Sequence, residues 1–356
     1  MNESKLKVII LYNRLFHYRI PVWNILAEKC DLTVAYTEGD GFIPEGLECH
    51  FKVLHLPAYI LFKRIVLQKC NIIRLANDYD VALTYGGVTW LKYSLLPFFH
   101  KHVAFHTLGV SASYETKYDS SKKWDFVQKV MFSKAKAVAF YTQYPIEKYA
   151  KMGVQREKMF EAPNTVAVKP INCEIEKDSI LFIGTLYKQK GIQSLLEVYK
   201  DLDGKCNLPI LNIIGKGPEF AEIETWINNN SLSDKIKLRG AVYNIEEKAK
   251  YFARALACIS PQQAGLSVLE SMGYGVPYVT TKDAFTGGEI FNIHDGIDGV
   301  LMSDISELLS IIRDISTNKS KYLHMGAKAM EFYNNYRKPS DMADGLWKAI
   351  CYAYNN

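Results

Sequence analysis

No CxxC pair occurs in this 356-residue sequence, and none of its seven cysteines (Cys30, Cys49, Cys70, Cys173, Cys206, Cys258, Cys351) has a histidine at zinc-ligand spacing. Scattered and odd in number, these thiols exclude a disulfide framework and a zinc module and fit a reduced, cytosolic chain. Apolar runs such as Leu95–Phe99 fall far short of the roughly 20 residues that a membrane-crossing helix needs. The chain opens almost directly into a strand-like run, Leu6–Tyr12, without the basic, apolar and small-residue regions of a signal peptide, so none is expected. Neither sign of charge dominates. A net charge of +5 with no concentrated Lys/Arg arm excludes a nucleic-acid partner and leaves a modest preference for anionic ones. Low-complexity tracts and short-period repeats are missing too. These absences leave a cytoplasmic protein, soluble or peripheral to a membrane.

What is present is an ordinary globular composition, 48% hydrophobic and 23% charged, on a chain of 356 residues, long enough for two cores. Short β-branched runs alternate with helical segments: Val8–Tyr12, Val22–Lys29, Leu32–Tyr36, then Val81–Thr84, Val103–Phe105 and Ala137–Tyr141 followed by Pro145–Met152. Strand, helix, strand in this rhythm predicts a parallel sheet covered by helices. The pattern breaks between Pro163 and Glu176, a stretch of Pro, Asn and charge that reads as a linker. The alternation then restarts with Ile180–Ile183, Ile192–Tyr199, Ile210–Ile214, Glu219–Asn228, Ile236–Leu238, Glu246–Arg254, Ala255–Ile259, Gly265–Tyr274 and Val276–Thr280. The remainder reads as mostly helical, with Pro339 separating Ile305–Tyr336 from Ser340–Tyr354. The expected domains are therefore 1–168, 169–338 and a final helix, 339–356.

Two stretches of the second half carry chemistry. Phe182 to Gly191 runs from a strand through a glycine-bounded basic loop into a helix. There Gly184 lets the backbone approach a phosphate, the helix start offers free N–H groups, and Lys188 and Lys190 add charge. The second stretch, Ser260 to Pro277, ends a strand and opens a helix at Gly265. Free amides at Gly265, Leu266 and Ser267 then point at whatever anion lies beyond the strand end. Glu270, about one turn along, is set to accept two vicinal hydroxyls clear of the phosphates.

Ser260-Pro261-Gln262-Gln263-Ala264-Gly265-Leu266-Ser267-Val268-Leu269-Glu270 resembles the donor-binding segment of retaining glycosyltransferases of family 4, the glycosyl transferases group 1. The order and spacing of further pieces extend the resemblance over nearly the whole chain. Gly215-Lys216-Gly217-Pro218 resembles the family's Gly-x-Gly-Pro turn, Leu238-Arg239-Gly240 with Tyr243 its base-lining segment, and Gly288-Glu289 with Asp295–Gly299 its late Glu and Gly-rich turn. The resemblance implies an α/β protein of GT-B architecture, two Rossmann-like βαβ domains facing a cleft, with a C-terminal helix crossing back to the first domain. It implies a transferase that moves a sugar, with retention and without a metal ion, from a nucleotide diphosphate sugar to an acceptor hydroxyl. No other cofactor is expected, and surface-polysaccharide assembly is the implied setting. The donor site implied is Gly184, Thr185, Lys190, Gly215, Arg239, Tyr243, Gly265, Leu266, Ser267 and Glu270, the last on the nucleotide ribose.

Two positions depart from the family. Gln262 stands where the first glutamate of its Glu-x7-Glu pattern contacts the donor sugar, so an amide replaces a charge. Thr185 stands where an arginine often binds diphosphate, while Lys190 is retained. In the first domain, Asn13, Arg14 and His17 fall in the loop expected to meet acceptor or phosphate, with Arg19 either another phosphate ligand or a solvated helix start. His106, at the end of a strand, matches the active-site histidine and joins Lys190 and Gln262 as the catalytic set. Aromatic and basic residues interleave in Leu56–Ile65 and Thr89–Tyr93. They read either as amphipathic helices on the first core or as a peripheral contact with an anionic membrane and a lipid-linked or glycan acceptor. Asp78-Tyr79-Asp80 and Asp201-Leu202-Asp203 look like metal-binding Asp-x-Asp but lack a third ligand at useful spacing. A degenerate scaffold that binds sugar nucleotide without turnover and a nucleotide-sugar epimerase of the same architecture remain the rival readings.

Overall fold

In the computed structural model, which describes residues 5–113, 117–170 and 175–356, the β-branched runs build two parallel sheets. Cys173 and part of the 163–176 linker lie outside the described residues. The chain divides into two compact units.

The first unit takes the chain up to Ser111, then Asp119–Thr165 and Arg337–Asn356. Its strands are β1 (Lys7–Arg14), β2 (Asp31–Glu38), β3 (Lys52–His55), β4 (Val81–Tyr85), β5 (Val103–Thr107), β6 (Ala137–Phe140) and β7 (Met159–Glu161). They form one sheet in the order β7-β6-β5-β4-β1-β2-β3, every pair parallel. Val8 to Tyr12 are all buried, a continuous apolar run because helices cover both faces of a central parallel strand. One cover is the helix Pro339–Asn355, whose Met342, Ala343, Leu346, Ala349, Ile350 and Ala353 form a single buried stripe. Pro339 occupies its first turn, where the missing N–H costs nothing. Gly345 lets this helix touch the sheet, since a Cβ there would lie 2.2 Å from the Glu161 carbonyl oxygen.

The second unit holds β8 (Ser179–Ile183), β9 (Ile210–Ile214), β10 (Ile236–Gly240), β11 (Ala255–Ile259), β12 (Tyr278–Thr281) and β13 (Gly299–Met302). Their order is β10-β9-β8-β11-β12-β13, again all parallel. The short strands Ala112–Ser113 and Lys117–Tyr118, although flanked by the first unit in sequence, pair with each other and group with the second. Lys117 Nζ meets Asp283 at 2.9 Å, and the Tyr118 ring stands edge-on to Phe291 at 5.1 Å.

Four local readings change. Leu56–Ile65 is not helical: Ala58–Leu61 and Ile65–Gln68 form an antiparallel hairpin whose turn residues Phe62 and Lys63 have φ of 50° and 56°. Asp125–Lys134 is a helix the sequence did not suggest. The segment Ile305–Tyr336, read as mostly helical, is resolved into a 3-10 turn at Ile305–Glu307 and two helices, Leu308–Thr317 and Lys319–Tyr336, which break at Asn318 where its side chain turns back to Asp314. Strand β13 lies in the region read as mostly helical. Among the described residues no helix is long and apolar enough to cross a membrane.

Candidate functional site

The carboxyl ends of the second unit's central strands carry most of the expected residues. Strand β8 leads into Gly184, a 3-10 turn at Lys188–Lys190, and Gly191 at φ 72°, which starts the helix Ile192–Leu202. Gly184 and Gly215 close the ends of β8 and β9 backbone to backbone: a Cβ on Gly215 would lie 1.9 Å from the Gly184 carbonyl oxygen. Lys190 folds back over this junction, so that a Cβ on Gly184 would sit 2.4 Å from Nζ. The lysine is 9% exposed, and burial pushes its pKa down to about 8. Nothing acidic pairs with its ammonium among the described residues. A cation held without a counter-ion at glycine-lined strand ends suits an incoming anion.

Gln262 follows β11 and belongs to the same group. Its backbone N–H donates to the Lys190 carbonyl at 3.2 Å, and its side chain lies against Gly191, where a Cβ would be 2.8 Å from Cγ. Thr185 stands beside Gly184 in this loop. The next segment reaches Gly265, the N-cap of the helix Leu266–Gly273. The amides of Gly265, Leu266 and Ser267 start that helix and have no intrahelical acceptor. The Ser267 hydroxyl is engaged by Tyr278 at 2.8 Å, and Tyr278 OH also donates to the Gln263 carbonyl at 3.0 Å. Glu270, on the same helix, is buried, with its Oε1 on Lys248.

Arg239 lies near the end of the edge strand β10 and Tyr243 follows it, and both are exposed. Arg239 Nε donates to Asn212 at 2.9 Å, and its guanidinium lies over the Tyr251 ring at 5.8 Å. Among the described residues neither is hydrogen-bonded to Lys190 or Gln262. Glu289 is buried and accepts from the Gly287 N–H at 3.0 Å, bracing its own turn.

The first-unit candidates occupy a different setting. His106 is 2% exposed, its ring 4.7 Å edge-on from Tyr141 and 5.9 Å from Tyr12, and its Nε2 has no hydrogen-bond partner. Burial, then the Arg19 charge, holds its pKa well below the usual imidazole range, so the ring is neutral. Tyr12 and Tyr141 share a 2.6 Å hydroxyl contact. Arg19 is buried rather than a solvated helix start: its guanidinium stacks over Tyr18 and Tyr141 and donates to Met342 Sδ. Arg14 closes β1 and is paired with Glu38 at 3.1 Å instead of lying in a loop. Asn13 Oδ1 is buried without a partner, and His17 is exposed in a 3-10 turn.

Sequence reasoning missed two features. Lys248, which holds Glu270, stands in Glu246-Glu247-Lys248-Ala249-Lys250, which reads as an ordinary solvated helix start. A cavity of about 410 Å³ opens beside Gln262, lined also by Gln189, Thr281, Asp283, Phe285 and Ser303. Its lining brings together the segments after β11, β12 and β13 with Gln189 and Lys117, which lie far apart in sequence. Among the described residues no three His, Cys, Asp or Glu side chains gather as a metal site.

Residues 169–332 match the family model described as glycosyl transferases group 1. Among curated proteins, the poly(glycerol-phosphate) alpha-glucosyltransferase of Bacillus subtilis is 23% identical over 214 residues, covering 57% of this chain. The chain spans 31% of that protein's length, and 43% and 53% of two uncharacterized glycosyltransferases from Methanocaldococcus jannaschii and Haemophilus influenzae. Among solved structures, Anabaena HepE in complex with UDP superposes with a TM-score of 0.74 at 15% identity, over 97% of this chain and 100% of that one. A glycosyltransferase from Rickettsia africae gives 0.72 at 13% identity over 100% of both chains. This likeness shows the fold, the GT-B architecture of two Rossmann-like α/β domains.

Proposed function

We propose that the chain is a retaining glycosyltransferase of family 4 type, working without a metal ion. It moves a sugar from a nucleotide diphosphate sugar to an acceptor hydroxyl, in the assembly of a surface polysaccharide or related glycoconjugate. The observation that carries this reading is Lys190, a buried lysine with pKa lowered to about 8 and no acidic partner among the described residues, folded over the Gly184–Gly215 junction. That junction lies within the segment matched by the family model.

In this reading Lys190 and the amides of Gly265, Leu266 and Ser267 take the diphosphate, Glu270 the ribose, and Arg239 and Tyr243 the base. The sugar lies in the cavity beside Gln262. The bond from the anomeric carbon to the diphosphate oxygen breaks and its electron pair goes to that oxygen. The acceptor oxygen then bonds to the same face of the sugar and passes its proton to the departing phosphate. Lys190 stabilises the growing negative charge in place of a metal. Gln262 orients sugar hydroxyls but adds no charge, so turnover is slow relative to binding. His106 acts on the acceptor side as a neutral hydrogen-bonding group.

The acceptor is a glycan or a lipid-linked glycan, met at the inner face of an anionic membrane. The first unit supports this contact with exposed apolar residues flanked by lysine and arginine. Tyr59, Ile60 and Phe62 project from the hairpin beside Lys63 and Arg64, and Phe126, Val127 and Val130 lie on the outer face of the helix Asp125–Lys134. Co-sedimentation with phosphatidylglycerol vesicles but not phosphatidylcholine vesicles is expected, and equal partition to both would remove the membrane from this reading.

The test of the activity is a donor screen with UDP-, GDP-, dTDP- and CMP-sugars in EDTA, following nucleotide release and sugar transfer. Release with one nucleotide class that depends on an added acceptor glycan supports transfer. Release without acceptor, giving an isomerised sugar, identifies an epimerase. Binding with no release favours a scaffold, the reading to which the Gln262 amide lends weight.

A further inference from the structure

The carboxylate read as the ribose ligand is not alone in its pocket. Lys248, on the helix Ile245–Ala253, places its ammonium on Oε1 of Glu270, and the two side chains are 17% and 11% exposed. Among the described residues, Oε2 of Glu270 has no partner. The frame that brings the pair together is rigid. Asn244 caps the helix by accepting from the Glu246 and Glu247 N–H groups at 2.9 and 3.0 Å. The Tyr274 ring stacks on Phe252 at 4.5 Å with the planes 12° apart, and its hydroxyl donates to the Ile245 carbonyl. Tyr274 in turn donates its N–H to the Glu270 carbonyl at 3.2 Å, so one residue ties both helices together.

A carboxylate on a flexible side chain accepts a diol well only if its plane is fixed beforehand, because otherwise binding bears the cost of ordering it. Contact with a single oxygen narrows the rotamers open to the side chain and leaves the second oxygen for a ligand hydroxyl. We propose that Lys248 is a positioning residue for nucleotide recognition: by holding Oε1 of Glu270 it presents Oε2 to the ribose hydroxyls and sets the preference for ribo- over deoxyribonucleotides. This rests on the reading of Glu270 as the ribose ligand. Lys248 is not offered as a phosphate ligand, since its ammonium is already engaged.

The test compares the affinities of UDP and 2′-deoxy-UDP, and of GDP and 2′-deoxy-GDP, for the wild type, Lys248→Met, Lys248→Arg and Glu270→Ala by calorimetry. A hydrogen bond to a charged group implies that the wild type prefers the ribonucleotide by roughly tenfold or more. In Lys248→Met this ratio is expected to fall towards one, and in Lys248→Arg to return to most of the wild-type value. A brace between helices without this role would lower the melting temperature of Lys248→Met and leave the ratio unchanged, and that result overturns the proposal. If Glu270→Ala keeps the wild-type ratio, the ribose reading of Glu270 itself fails. If Glu270→Ala loses the ratio and Lys248→Met keeps it, Glu270 stands and Lys248 does not. Absence of binding by any of the four nucleotides to the folded wild type overturns both.

Discussion

The two sheets of this protein are built alike and finished differently. Both are parallel with central strands buried on both faces, yet the strand ends around His106 in the first unit carry aromatic rings, while those around Lys190 in the second carry glycines. In the first, Tyr12, Tyr85, Tyr141 and His106 pack against one another, with Arg19 stacked on Tyr141. In the second, Gly184, Gly215 and Gly217 bring backbone against backbone, with Lys190 laid over the junction. Glycine leaves amides accessible and gives an anion room, whereas stacked rings leave apolar surface and a neutral imidazole. The same framework thus carries, in one unit, a lysine laid over glycines with no acidic partner among the described residues and, in the other, a ring-stacked arginine beside a neutral imidazole, and the difference lies in a handful of residues at the strand ends.

The largest way to break this contrast is to add a side chain at the glycine junction. Gly215→Ala puts a Cβ 1.9 Å from a backbone oxygen, and overpacking of this kind is expected to cost about 3 kcal/mol. Denaturant titration should show the loss, together with loss of nucleotide binding. Gly345→Ala, 2.2 Å from the Glu161 oxygen in the first unit, should destabilise by a similar amount and still leave nucleotide affinity within about twofold in the folded fraction.

Removing the cation separates binding from stability. Lys190→Met should weaken nucleoside diphosphate binding by roughly 10- to 100-fold, the worth of a hydrogen bond to a charged group. Stability should stay the same or rise, because a buried ammonium without an acidic partner is replaced by an apolar chain.

The titration of Lys190 gives a third expectation. Its pKa is about 8 in the folded protein against an ordinary 10.5. Below pH 8 both folded and unfolded chains carry the proton. Between 8 and 10.5 the unfolded chain holds more, so this group raises stability as pH rises through that window. Nucleotide affinity should move the opposite way, falling above about pH 8, and binding near pH 8.5 should take up a proton, read from calorimetry in buffers of different ionisation enthalpy. Lys190→Met should abolish both trends. The smallest effect belongs to the first unit: Tyr12→Phe removes the 2.6 Å hydroxyl contact with Tyr141. It should cost about 1 kcal/mol without changing nucleotide affinity.

How much of this was readable in the sequence depends on whether a segment's pattern matched its burial. Strands β1 and β8 were clear because apolar residues run unbroken through both. The helix Asp125–Lys134 was not, because Phe126, Val127 and Val130 face outward while Gln128 is buried, which blurs the helical period. The hairpin Ala58–Gln68 turns at Phe62 and Lys63 in left-handed conformations without the Asn or Gly that usually marks such a turn. Strand β13 is four residues long and follows a glycine-rich turn. Gly184 and Gly265 stand out in the sequence as strand-to-helix glycines, Gly215 through the family's Gly-x-Gly-Pro turn and Glu270 by its place one turn along the helix, and all four lie at or just beyond the carboxyl ends of the second sheet's strands. Lys248 left no trace, since its role depends on the crossing of two helices rather than on its neighbours in sequence. Arg14 and Arg19 were readable as cations but not by position, because one ends a strand beside Glu38 and the other is buried under tyrosine rings.

The most direct test of the central claim is calorimetric titration of UDP and GDP, in EDTA at pH 7, into the wild type and Lys190→Met. One of the two nucleotides should bind the wild type without metal and bind the variant at least tenfold more weakly, with both proteins equally folded. Binding that needs a divalent cation, or equal affinity for the two proteins, would contradict it.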